Sequence, residues 1–228
     1  LAQLLQTTNR LAEAEPLMHR ALKIYEQSFG EHHPDVAIAL SNLAQLLQAT
    51  NRLTEAEPLM RRALAIDDLR FGADHPKVAL DLKNLAQLLH AANRLEEAEP
   101  LMRRALAIDE QSFGPNHPPV ATALSDLAQL LHAANRLAES EPLMRRALDI
   151  DERCFGKEHP NVARDLSNLA NLLSRKEDYA AAEPLYRRAL AIWEKNLGNN
   201  HPNVISARNN LAELSAVTNH QANRSRIY

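Results

Sequence analysis

The sequence predicts an all-α fold, a right-handed α-solenoid of stacked antiparallel helix pairs, on three observations. Its rare residues recur on a 42-residue lattice, each period holds two amphipathic helical patterns, and scarce glycine with abundant alanine and leucine favours helix. The five glycines are Gly30, Gly72, Gly114, Gly156 and Gly198. The four phenylalanines (Phe29, Phe71, Phe113, Phe155) and four methionines (Met18, Met60, Met102, Met144) keep the same period. So do two proline columns, Pro16, Pro58, Pro100, Pro142, Pro184 and Pro34, Pro76, Pro118, Pro160, Pro202. A fold with one central core does not distribute scarce residues in this way. A single-core enzyme fold is therefore excluded, and a tandem array is implied.

One repeat runs from Pro34 to His75. In its first helix Val36, Leu40, Leu43, Ala44 and Leu47 recur at spacings of three and four, the period of one helix face. Pro34 suits the first helical turn, where its missing N–H costs nothing. The second helix carries Leu53, Ala56, Met60, Ala63 and Leu64 as its stripe. The short polar connection ATNR makes the two helices antiparallel neighbours. Pro58 lies in the second turn of its helix and removes one backbone hydrogen bond. Gly72 is expected to end the helix in a left-handed cap, and Phe71 to plug the seam between repeats. The 228 residues hold about five and a half repeats, or eleven helices. They divide into a partial first repeat over 1–33, repeats over 34–75, 76–117, 118–159 and 160–201, a last first helix over 202–217 and a polar tail over 218–228, all one solenoid across 1–228. Leu1, Leu4 and Leu5 would stand exposed at the N-terminal edge. No single helix pair can bury its stripe alone; stacking gives a superhelix with a concave and a convex face.

Net charge is −3, from 26 Lys and Arg against 29 Asp and Glu, which gives no electrostatic case for nucleic acid. No apolar run approaches ~18 residues, so no membrane span is expected. The N-terminus has no signal-peptide pattern, lacks an initiator Met and starts within a repeat. The chain reads as a piece of a longer cytoplasmic protein whose targeting signals would lie outside it. Lone Cys154 makes no internal disulfide, fitting a reducing compartment.

Ala44, Ala56 and Ala63 stand at the small-residue spacing of the tetratricopeptide repeat (TPR), with Leu40, Leu43 and Leu47 at its large apolar positions. HEAT and armadillo arrays lack this alanine spacing. The 42-residue period, the EAEPLMRRALAI string and the FG-x-x-HP-x-VA junction resemble the longer, kinesin-light-chain-like subtype. The resemblance covers essentially the whole chain. It implies a non-enzymatic protein–protein interaction scaffold that binds an extended peptide or disordered segment in the groove lined by the first helices. An alternative is a sensor, regulatory or oligomerisation arm of a longer protein with an ATPase or protease effector. Partner identity and oligomeric state are not encoded legibly.

First-helix residues off the apolar stripe are the candidate peptide-binding positions. Asn42, Asn84, Asp126, Asn168 and Asn210 form one column. A carboxamide offers donors and an acceptor, so it can pair with both polar groups of a peptide backbone. The resemblance implies an asparagine ladder here, matched at 42, 84, 168 and 210 and interrupted by Asp126. Gln45, Gln87 and Gln129 continue as Asn171 and Glu213 one turn further on. Lys83 and Arg164, in the variable columns, would read acidic side chains. His90 and His132 occupy equivalent sites in adjacent repeats, ~10 Å apart by helix packing, with no third ligand evident; a metal site is not expected. The histidines of the HP dipeptides (His33, His75, His117, His159, His201) are assigned to turns or caps. The double arginines follow a glutamate four residues earlier, as Arg61 follows Glu57, which makes a paired, solvated face. No catalytic motif, metal set or cofactor site is present in the sequence.

Overall fold

The structure, a computed structural model, describes residues 11–224. Ten helices lie among them: α1 (Leu11–Phe29), α2 (Pro34–Ala49), α3 (Leu53–Phe71), α4 (Pro76–Ala91), α5 (Leu95–Phe113), α6 (Pro118–Ala133), α7 (Leu137–Phe155), α8 (Pro160–Arg175), α9 (Tyr179–Leu197) and α10 (Pro202–Arg224). No strand occurs among the described residues. The chain falls into two compact units, Leu1–Gly114 and Pro115–Tyr228. In the N-terminal unit consecutive helices pack in order from α1 to α5; in the C-terminal unit the same holds from α6 to α10. The expectations on Leu1, Leu4 and Leu5 lie outside the described residues. Helix α10 runs through 217 into the polar tail, so the last first helix is longer than the sequence boundary.

Each first helix begins where the HP dipeptide places it. His33 is extended (φ −80°, ψ 144°), as a residue before proline must be, and Pro34 opens the helix. The His33 Nδ1 atom accepts a hydrogen bond from the Asp35 N–H at 3.2 Å. His75, His159 and His201 cap Lys77, Asn161 and Asn203 identically. His117 does not make this cap: the residue that would donate is Pro119, which has no N–H.

Each first helix buries more than the predicted stripe. In α2, Val36, Ala37, Ala39, Leu40, Leu43, Ala44, Leu46 and Leu47 are buried. The helix is covered both by its own partner and by the helix before it, so only Ile38 and Gln45 stay well exposed among its central residues. Each fully buried leucine contributes roughly 1.5–3 kcal/mol. The helical prolines sit on the solvent side. Pro58 and Thr54, whose carbonyl loses its donor, are both exposed, so water can satisfy the freed group.

Two sequence expectations need correction. Phe71 does not plug a seam: it is 39% exposed and stacks on His75, ring centroids 4.8 Å apart. Phe29 and Phe155 do likewise with His33 and His159. Gly72 has positive φ as expected (91°), but its ψ of 155° is not that of a left-handed helical cap. This backbone region is essentially glycine-only. An added Cβ would meet nothing within 4 Å, so conformation rather than space dictates the residue.

The left-handed cap lies instead at the other turn. Asn51, Asn93 and Asn135 have φ near 60°. The N–H of Asn51 bonds the Gln48 carbonyl and that of Arg52 bonds the Leu47 carbonyl, a Schellman closure. Asparagine tolerates this conformation; Glu177, at φ 62° in the equivalent place, does not do so readily. Glu177→Asn is therefore expected to stabilise the C-terminal unit by about 1 kcal/mol, read as a raised melting temperature. An unchanged or lower value would show that the strain argument fails here.

The arginine pairs split their duties. Arg61 bonds Glu57 within its own helix at 2.8 Å, with Arg103, Arg145 and Arg187 alike. The second arginine reaches back to the preceding turn. Arg62, Arg104, Arg146 and Arg188 donate to the backbone carbonyls of Glu31, Ala73, Pro115 and Lys157. These side chains tie one repeat to the last, a role the local spacing did not reveal.

Candidate functional site

The first helices present a repeating surface within each unit. In the N-terminal unit Ile38 and Leu80 are exposed apolar side chains, 44% and 50% accessible. Asn42 and Asn84 sit half-buried beside them, with Gln45 and Gln87 exposed one turn on. His90 is half-buried at the end of α4. In the C-terminal unit the same positions are filled by Thr122 and Arg164, by Asp126, Asn168 and Asn210, and by Gln129, Asn171 and Glu213. The side chains of Asn42, Asn84 and Asn168 make no hydrogen bond among the described residues, whereas Asn210 donates to Asn171 Oδ1 at 3.4 Å. Three carboxamides are thus held by packed neighbours with their polar ends open.

Lys83 and Arg164, assigned from sequence to reading acidic side chains, are turned to carboxylates of the scaffold. Lys83 Nζ lies 2.9 Å from Asp109 Oδ2, the lysine 14% and the aspartate 2% exposed. Arg164 contacts Asp165 at 3.0 Å and Asp151 at 3.4 Å. Sequence reasoning missed these partners. They come from two further columns: Tyr25, Asp67, Asp109, Asp151, Trp193 on the second helices and Ala39, Asp81, Ala123, Asp165, Ala207 on the first. A buried position that alternates alanine with aspartate was the available signal.

The two acidic pairs sit alike, one in each unit. Asp67 and Asp81 are buried together between α3 and α4, with Lys77 Nζ 3.1 Å from Asp67 Oδ2. No donor is aligned on either Asp67 oxygen or on Asp81 Oδ2. Burial, then the neighbouring Asp67 carboxylate, pushes the Asp81 carboxyl up to about 7, against the pull of Lys77. Asp151 and Asp165 repeat the arrangement between α7 and α8, with Arg164 as the cation and Ser125 Oγ donating to Asp165 Oδ1 at 3.2 Å. Burial and the Asp165 charge push Asp151 up to about 7, and burial raises Asp165 as well. Each pair sets two buried carboxyls beside a single cation, a structural device rather than an open ligand site.

The C-terminal unit also holds a cavity of about 400 Å³ between α6, α8, α9 and α10. His132, Asn171, Ser174, Tyr186, Asn210 and Glu213 contribute to it. Tyr186 replaces the methionine of its column, and its hydroxyl donates to Asn171 Oδ1 at 2.5 Å. The pocket brings together His132 and Asn210, two positions singled out in the sequence. His90 belongs to the other unit. Among the described residues no group of three metal-ligating side chains is present, and no helix is long and apolar enough to cross a membrane.

Stacked helix pairs with open polar side chains on the first helices define a helical-repeat scaffold. The chain belongs to the tetratricopeptide-repeat family, whose model matches residues 1–68, 52–111, 82–153, 120–195 and 166–222. Proteins of this fold generally serve protein–protein interaction and are typically non-enzymatic. Among solved structures the chain is similar to a Podosopora anserina protein assigned as a kinesin light chain with nearly identical TPR-like repeats, at 23% identity over 85% of this chain and 92% of that one, TM-score 0.75. It is similar to BtubC (BKLC) from P. vanneervenii, at 23% identity over 93% and 84%, TM-score 0.74. The apo form of RapI aligns at 15% identity over 86% of this chain and 52% of that one, TM-score 0.69. No curated protein sequence matches it.

Proposed function

We propose that the chain is a non-enzymatic scaffold that binds an extended peptide or disordered segment across the first-helix face. The supporting observation is the half-buried, unpartnered carboxamides, at Asn42 and Asn84 in the N-terminal unit and at Asn168 in the C-terminal unit. Each can donate to a peptide carbonyl and accept from a peptide N–H whatever the peptide sequence. Packing already fixes the asparagine Cα–Cβ directions, so little freedom is lost on binding. Gln45, Gln87 and Gln129 extend the polar lining, Asp126 takes a peptide N–H or cation, and Ile38 and Leu80 offer apolar contact.

The test begins with peptide display against the whole chain, followed by calorimetry on a selected peptide. With a net loss of about 1 kcal/mol per asparagine removed, the Asn42→Ala/Asn84→Ala double variant, both positions in the N-terminal unit, should bind roughly 30-fold more weakly. Circular dichroism must show an intact helical fold. Unchanged affinity in a folded variant would remove the ladder from the reading.

A further inference from the structure

The two complete first helices of the N-terminal unit, α2 and α4, carry the same accessible stripe. Ile38, Asn42 and Gln45 stand at spacings of four and three on one face of α2, and Leu80, Asn84 and Gln87 repeat them on α4. Ile38 is 44% and Leu80 50% exposed. Asn42 and Asn84 are half-buried beside them, with no side-chain hydrogen bond among the described residues. Single exposed aliphatic side chains are ordinary on a protein surface. Here two recur at one register, each next to an open carboxamide, and the scaffold does not require them. The same column reads Thr122 on α6 and Arg164 on α8, helices that bury the same leucine and alanine positions as α2 and α4.

We infer that this stripe seats two apolar side chains from an uncharged stretch of the bound peptide, Ile38 and Leu80 making the apolar contacts while Asn42 and Asn84 hold the backbone. The assignment rests on the peptide-binding reading of the first-helix face and specifies what the N-terminal unit selects. The occupant's chemistry follows from the charges of the two helices. Lys83 Nζ is engaged by the buried Asp109 at 2.9 Å and Lys77 Nζ by the buried Asp67 at 3.1 Å. Asp81 is itself buried. Asp35 lies in the first turn of α2, its carboxylate 3.6 Å from the His33 ring. Among the described residues of α2 and α4, then, each lysine already has its carboxylate. A peptide carboxylate pressed against Ile38 or Leu80 would lose water without gaining a cation, and a peptide ammonium would find Asp35 only at the helix start. An apolar side chain instead removes apolar surface from water on both partners. Equivalent positions on successive first helices lie ~10 Å apart by helix packing. That is about three residues of extended peptide at ~3.1–3.3 Å each, so both apolar residues belong to one short stretch.

The experiment uses the whole chain with carbon-13 at the isoleucine δ1 methyls. The probes are N-acetylated, C-amidated peptides of glycine and serine with two leucines three residues apart, and the same peptide with glutamate, lysine or serine replacing both leucines. The Ile38 methyl signal is assigned by its loss in Ile38→Thr. The expected result is a saturable shift of that signal by the leucine peptide, with affinity at least about tenfold above the other three. Leu80→Ser, a residue the column already holds at Ser206, should weaken the leucine peptide roughly tenfold with the helical circular dichroism unchanged. No saturable shift with the leucine peptide, or equal binding of the glutamate, lysine or serine peptide, would overturn the inference. So would a dimer, seen by sedimentation velocity without peptide and dissociated by Ile38→Thr/Leu80→Ser, since the stripe would then belong to a second copy of the chain. The asparagine ladder is read separately. Its failure leaves the leucine peptide bound equally well by Asn42→Ala/Asn84→Ala, whereas failure of this inference abolishes the preference for leucine in the parent.

Discussion

Asp81→Asn and Asp151→Asn are expected to be more stable than the parent chain at about pH 8, and to flatten its loss of stability between about pH 5 and pH 8. Each parent carboxyl is pushed up to about 7 in the folded chain, against about 3.9 in an unfolded one. The folded state therefore binds the extra proton over that window. Stability from these groups is fully present below about pH 4 and is lost as pH rises through about 7. At 1.36 kcal/mol per unit, the loss approaches about 4 kcal/mol per pair, lowered by any relaxation of the seam. Asparagine is nearly isosteric with protonated aspartate. Its amide supplies the donor that Asp67, or Asp165 in the other pair, otherwise receives from the shared proton.

The measurement is a set of denaturant titrations at about pH 5, 6.5 and 8 for the parent and both variants. Comparing slopes against the parent cancels the titrating groups away from each pair. Lys77 sits on the first pair and Arg164 on the second, and both cations remain in the variants. Parallel pH slopes in all three proteins would show that the pairs do not share protons near neutrality. Repeat proteins can unfold in stages, so each variant should act first on the unit that contains it.

Much of this fold was legible because its punctuation is chemical. An HP dipeptide starts each first helix, Phe-Gly ends four of the five second helices and Leu197-Gly198 the last, and every described helix boundary within the full repeats falls on that lattice. Local rules sufficed there. They did not suffice for Arg62, Lys83 or Asp81, whose partners lie on other helices: Glu31, Asp109 and Asp67. A periodic sequence says that two positions are equivalent. It does not say which columns of successive helices meet, since that depends on how the pairs stack. A charge in a variable column therefore looks the same whether it serves a partner or the scaffold. The asparagine column could be singled out as a candidate because carboxamide chemistry does not depend on stacking. The cavity was only half legible: His132 and Asn210 were singled out, but Tyr186 was not.

Lys83→Met is expected to be among the most damaging single substitutions in the chain, at about 3–5 kcal/mol near neutral pH. The lysine lies 2.9 Å from a buried Asp109 carboxylate, and its removal strands that charge between α4 and α5. Lys83→Met/Asp109→Leu should recover most of the loss, since replacing both members of a buried pair by apolar groups of similar size is close to neutral. This cycle also separates structure from recognition. If Lys83 serves the scaffold alone, the restored double variant binds a selected peptide as well as the parent does. If the ammonium also reads an acidic partner residue, stability returns in the double variant and affinity does not. Full stability in the single Lys83→Met variant would mean that Asp109 finds water or another donor, and that the pair contributes little to the fold.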